Sequence, residues 1–138
     1  FVIGPFVRRC CFLPIDRENA RNALTTINAA ADLIRAHECS FAIYPEGTRS
    51  KSGELLPWHA GSLKIAQKAN VPIVICSLVN SRAILRNMFR KHTEVWLDVL
   101  DVIPAEELAG KTTIEVGERV HAVMEAGVVR REQAQGLR

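Results

Sequence analysis

No stretch of this chain is apolar for the roughly 20 residues that a bilayer-spanning helix needs, so this sequence is expected to span nothing. Nor does its start read as a secretory leader: residues 1–6 are apolar, but a basic leader and a small-residue cleavage pattern are missing. Cysteine is sparse. Cys10, Cys11, Cys39 and Cys76 form no Cys-x-x-Cys pair, and no His stands at a zinc-ligand spacing from them, so neither a metal site nor a cofactor is expected. Cys39 and Cys76 flank or lie in apolar runs, where a thiol serves as a small hydrophobe. Reduced core thiols in a cytosol-facing domain follow. Aromatics make up only 6% of the chain, and basic groups are not interleaved with them. With a net charge of just +3, no nucleic-acid partner is expected. Internal repeats and low-complexity segments are absent as well.

What is present is ordinary globular composition, 48% apolar and 24% charged. At 138 residues the chain is one domain with room for a real core, yet short for a complete α/β enzyme. It has no initiating Met and starts mid-pattern, and is expected to be a piece of something longer. A single α/β domain is expected over 1–127, followed by a polar tail at 128–138 that frays.

The chain is organised around residues 40–50. Phe41, Ala42, Ile43 and Tyr44 read as a buried strand that stops at Pro45, which has no donor for a sheet ladder. Glu46, Gly47, Thr48, Arg49 and Ser50 then hang from its end, the usual place for a ligand site in an α/β protein. An earlier apolar run through Phe12, Leu13 and Ile15 switches in the same way to Asp16 and Arg17, with Pro14 marking an edge strand or bulge. Between them, Leu24, Ile27, Ala31 and Ile34, widened by Ala20 and Ala30, predict an amphipathic helix from about 18 to 37 lying on a sheet. A helix over about 59–69 with Asn70 at its C-terminal end leads into a strand over 71–76. Strand, helix and strand predict a parallel βαβ unit, and hence a mostly parallel sheet flanked by helices. Further on come a helix over 81–91 with Arg82, Arg86 and Arg90 at i, i+4 spacing, a strand over 94–100 and a helix start at Pro104. Last, a helix is capped by Thr112 and Glu115, with Val116, Val120, Val123 and Met124 inward.

Arg17 and Arg49 suit phosphate, because the guanidinium fork donates two hydrogen bonds to two oxygens. Gly47 lets backbone N–H groups come close, Thr48 and Ser50 add hydroxyls, and Glu46 can orient an Arg or accept from a substrate hydroxyl. The plain alternatives are a salt bridge from Arg17 to Asp16 or Glu18, and a surface charge at Arg49. The run of Arg82, Arg86, Arg90 and Lys91 reads as a solvated helix face, or as a surface for anionic headgroups or an acidic carrier protein.

In order and spacing, Ile15-Asp16-Arg17, then Tyr44-Pro45-Glu46-Gly47-Thr48-Arg49-Ser50, then Val71-Pro72-Ile73-Val74 resemble three of the four motif blocks of the glycerolipid acyltransferases, in particular the 1-acylglycerol-3-phosphate acyltransferases. The resemblance covers roughly residues 1–110. It implies a glycerolphosphate-acyltransferase-like α/β fold, N-terminally truncated. The activity it implies is transfer of a fatty acyl group from acyl-CoA or acyl carrier protein, as co-substrate, to a lysophospholipid hydroxyl, giving phosphatidate on the cytoplasmic face of a membrane. It also implies that Arg17, Glu46, Gly47, Thr48 and Arg49 bind the substrate phosphate, with Pro72 shaping the structure or the acyl site. The family's first block, His-x-x-x-x-Asp, holds the general base. Five residues after His37, His59, His92 and His121 stand Ala42, Lys64, Leu97 and Ala126, so the pair is absent here and is expected upstream of Phe1. The chain alone is then expected to be inactive. A non-catalytic module that binds phosphate or lipid headgroups is the alternative. Where relatives carry Lys or Arg, this chain has His59, read as structural or peripheral.

Overall fold

The computed structural model of the chain describes residues 12–16, 19–48, 50, 54–89 and 92–136. Helix α1 (Ala20–Arg35) begins where Asn19 accepts hydrogen bonds from the backbone N–H groups of Arg21 and Asn22, at 3.0 and 3.2 Å. These bonds satisfy two of the four donors that every helix start leaves open. Its far end closes with His37 in the left-handed region (φ 56°), the His37 N–H bonded to the Ile34 carbonyl and the Glu38 N–H to the Leu33 carbonyl. That is the pairing of a Schellman ending, filled here by His rather than Gly. Ile27, Ala30 and Ala31 are buried, whereas Leu24, expected inward, is 43% exposed. The stripe is narrower than its sequence pattern because α1 packs on another short helix rather than on a sheet.

That partner is α2 (Lys64–Ala69), entered through a 3-10 turn at Ala60–Leu63 and ended by Asn70 in the left-handed conformation. It is a wall between two apolar clusters. Ile65 joins Ile27 and Ala30, with Leu13, Ile34, Phe41 and Ile43 packed against them. Leu63 joins Ile75, Ile103, Leu108, Val116 and Val120, with Trp58, Ala66 and Leu100 around them. Each fully buried aliphatic side chain contributes roughly 1.5–3 kcal/mol. The Lys68 ammonium donates to the Asn28 side chain at 2.7 Å and Arg35 donates to the Lys68 carbonyl, pinning α1 to α2.

Strands β1 (Ile73–Val79) and β2 (Trp96–Ile103) pair antiparallel. Leu100 is an extra residue on β2: Ile75 faces Asp101 and Cys76 faces Val99. Such a bulge bends its strand and re-aims a side chain. On β1 the alternation is strict, with Ile75, Ser77 and Val79 inward and Val74, Cys76 and Leu78 outward. Cys76 is therefore an exposed free thiol, not the core thiol anticipated, and Cys39 is only half-buried.

The α/β class holds, but the described residues form a two-stranded antiparallel sheet rather than a mostly parallel one. Phe41 and Ile43 pack against the second cluster, but among the described residues 41–44 form no strand ladder. The helix expected over 81–91 shrinks to α3 (Ala83–Arg86). After α4 (Ala105–Leu108), α5 (Thr113–Ala134) starts on a full capping box between Thr112 and Glu115. Rather than fraying after Gly127, it runs on to Ala134, held by Arg131, whose guanidinium grips both oxygens of Asp98 on β2. Among the described residues no helix is long and apolar enough to cross a membrane.

Candidate functional site

The stretch after Tyr44 is a tight turn. The Gly47 N–H bonds back to the Tyr44 carbonyl at 3.0 Å, with Pro45 second in the turn and Gly47 at φ 66°, where a side chain would be strained. Two further bonds fix this turn against the chain that returns from it. The His59 N–H donates to the Pro45 carbonyl at 3.0 Å, and the Leu56 N–H donates to Glu46 Oε2 at 2.9 Å. The second is a charge-assisted bond across ten residues, of a kind roughly twice as strong as a neutral one. Trp58, between those two anchor points, packs on the first cluster and sets its ring edge-on to His121 of α5, with centroids 5.2 Å apart. The turn is thus held at its base while Thr48 stays exposed and Gly47 half-buried.

Glu46, Gly47 and Thr48 stand consecutively in this turn, and Glu46 spends one oxygen on the loop's own backbone. Arg17 and Arg49 lie outside the described residues. Pro72 is exposed and directly precedes β1, where its missing donor costs the ladder nothing. His59 is exposed and acts through its backbone, its carbonyl accepting from the Ser62 hydroxyl at 2.8 Å.

Asp16, expected as part of the Ile15-Asp16-Arg17 motif at the end of an apolar run, also braces the start of α1. Its carboxylate accepts from the Asn19 N–H at 3.2 Å and the Asn22 side-chain amide at 2.9 Å, and the Thr26 hydroxyl donates to the Pro14 carbonyl at 3.1 Å. These bonds fasten residues 14–16 to the first turns of α1. The signal was available: Asn19 three residues before Asn22, both close after an Asp, is capping chemistry. Leu56 as a partner of Glu46 left no such trace, because a backbone N–H is the same at every non-proline residue.

Residues 1–79 match the model of the Acyltransferase family, and the chain belongs to that family. Its curated relatives include the human "1-acyl-sn-glycerol-3-phosphate acyltransferase beta", 30% identical over 112 residues, covering 80% of this chain and 40% of the relative. The Salmonella typhimurium protein named 1-acyl-sn-glycerol-3-phosphate acyltransferase is 30% identical over 114 residues, 82% of this chain and 46% of its own length. A Cocos nucifera protein of the same name is 43% identical over 60 residues, 44% of this chain and 20% of the relative. The chain spans less than half the length of each of these relatives. No solved structure matches.

Proposed function

We propose that this chain carries the phosphate-binding part of a 1-acylglycerol-3-phosphate O-acyltransferase. The whole protein moves a fatty acyl group from acyl-CoA or an acyl carrier protein to the free hydroxyl of lysophosphatidate. The products are phosphatidate and the free thiol carrier. Arg17 and Arg49 are the charged clamp on the phosphate, Thr48 adds a hydroxyl donor, Gly47 shapes the turn with its own N–H held by the Tyr44 carbonyl, and Glu46 sets the turn through its bond to the Leu56 N–H. The general base is a His paired with an Asp, supplied by residues that this sequence does not contain; an alcohol needs such a base to attack a thioester. The enzyme works at the cytoplasmic face of a membrane, where its lysophospholipid resides. In the whole domain, residues 41–44 gain a strand partner in a mostly parallel sheet.

One observation carries the reading. The turn at 44–48 is fixed by three hydrogen bonds, and Ile43, just ahead of it, shares one apolar cluster with Leu13, just ahead of Asp16. The two motif arms therefore rest on the same floor. The names of the relatives supply the substrate class.

The test is an assay of the 138-residue chain and of the whole protein with lysophosphatidate and acyl-CoA. Turnover is expected from the whole protein and none above background from the chain alone. Turnover by the chain would contradict the placement of the base. A whole protein that binds phosphate-bearing lipids without turnover would favour the non-catalytic headgroup-binding module.

A further inference from the structure

We propose that the connection between β1 and β2 docks this protein on an anionic lipid surface. The docking element is an apolar tip of Ile84, Leu85, Met88 and Phe89 flanked by Arg82 and Arg86. Four large apolar side chains stand outward within six residues. Phe89 is 95% exposed, Leu85 73%, Met88 67% and Ile84 52%. Isolated exposed apolar residues are ordinary on a soluble surface, but a contiguous group marks an interaction site. Ile84 and Leu85 lie on α3 and Met88 and Phe89 in the turn that follows it, with Arg82 and Arg86 at the two ends of the helix. Ala83, on the opposite side of α3, is buried.

The base of this connection is fixed. The Asn80 side-chain amide donates to the Glu94 carbonyl at 2.9 Å, Asn80 itself turns the chain at φ 64°, and the Ala83 and Asn87 N–H groups bond to Asn80 and Ala83. A tip presented this way loses little conformational freedom on docking.

Charge selects the partner. From Leu55 through Thr93 the sequence has no Asp or Glu but six Lys or Arg, including Arg90 and Lys91 directly after the tip. Cations around an apolar centre fit the boundary between headgroups and acyl chains, where apolar groups insert and basic groups meet anionic lipid. An acidic protein would meet the arginines as well, and the carrier-protein arm of the test below separates it from lipid. The inference does not rest on the acyl-transfer reading, and its test measures no activity.

The test is flotation of the 138-residue chain with phosphatidylcholine vesicles, with and without phosphatidylglycerol. Binding is expected to the mixed vesicles and to weaken as salt shortens electrostatic reach to about 10 Å at 0.1 M. The double variant Leu85→Ser/Phe89→Ser should bind weaker by roughly tenfold or more, since it removes the inserting groups. Arg82→Glu/Arg86→Glu should lose the preference for phosphatidylglycerol. All four positions are exposed, and far-UV circular dichroism checks that the fold is intact. Failure of the wild-type chain to float with either vesicle, or wild-type binding by the apolar double variant, would overturn the proposal. Binding of an acidic carrier protein that is lost on charge reversal but kept by the apolar variant would also overturn it, assigning the patch to a protein partner.

Discussion

Gly127 lies in the middle of α5, where an alanine is ordinarily better by roughly 1 kcal/mol. Helix propensity alone thus predicts that Gly127→Ala stabilises the protein. The packing predicts the opposite. A Cβ at this position would stand 2.4 Å from Leu100 Cδ1, 2.6 Å from Cδ2 and 3.0 Å from Cγ, so the whole outer part of Leu100 must leave. Ordinary carbon contacts are about 3.5–4.0 Å. Leu100 is the bulge residue of β2, packed against the Ile75, Ile103, Val116 and Val120 cluster. Overpacking of this kind costs about 1–3 kcal/mol, and full exposure of a Leu costs a similar amount. Against the propensity gain, we expect a net loss of about 0.5–2 kcal/mol, read as a lower urea midpoint with unchanged slope. A double-mutant cycle isolates the cause. In a Leu100→Ala background the clash is gone, and Gly127→Ala should then stabilise by about 1 kcal/mol. A stabilising Gly127→Ala in the wild-type background, or the same effect in both, would refute the reasoning.

Asn19→Ala should cost about 0.5–2 kcal/mol by freeing the Arg21 and Asn22 N–H groups, visible as a lower urea midpoint. Ser77 is 0% exposed, and among the described residues its hydroxyl has no hydrogen-bond partner. Ser77→Ala should therefore stabilise by about 1–3 kcal/mol, measured by the same titration. The hydrogen bond from Arg131, and then its charge, holds the Asp98 carboxyl below the usual carboxylate range. A carboxylate depressed in the folded state stabilises fully above that range, and the contribution drains away as pH falls through the lowered value. Melting temperature should accordingly drop on acidification, and Asp98→Asn should flatten that drop.

Much of the scaffold could be read locally. Thr112 with Glu115, Asn70 at a helix end, and the inward Val116 and Val120 are all set by near neighbours in sequence, and all stand as read. What could not be read depends on distant partners. Residues 41–44 have the alternation of a strand, but a ladder needs a second backbone that local pattern does not supply. In the connection between β1 and β2, Arg82, Arg86 and Arg90 have the i, i+4 spacing of a longer helix, yet among its described residues only Ala83 is buried. α5 outlasted Gly127 because Asp98, far away in sequence, holds Arg131. In the candidate site, the sequence does not reveal Glu46 as the staple of its own loop, since its partner is an anonymous backbone N–H.

The most direct test of the proposed phosphate clamp is the dependence of the whole protein's proposed acyl transfer on lysophosphatidate concentration in Arg17→Ala, Arg49→Ala and the double variant. A charge-assisted hydrogen bond to phosphate is worth about 1.5–3 kcal/mol, so each single variant should raise KM roughly tenfold or more. Two arginines on one phosphate should also couple, the double variant departing from the product of the single effects. A wild-type KM in either single variant, or two effects that simply multiply, would contradict a shared clamp.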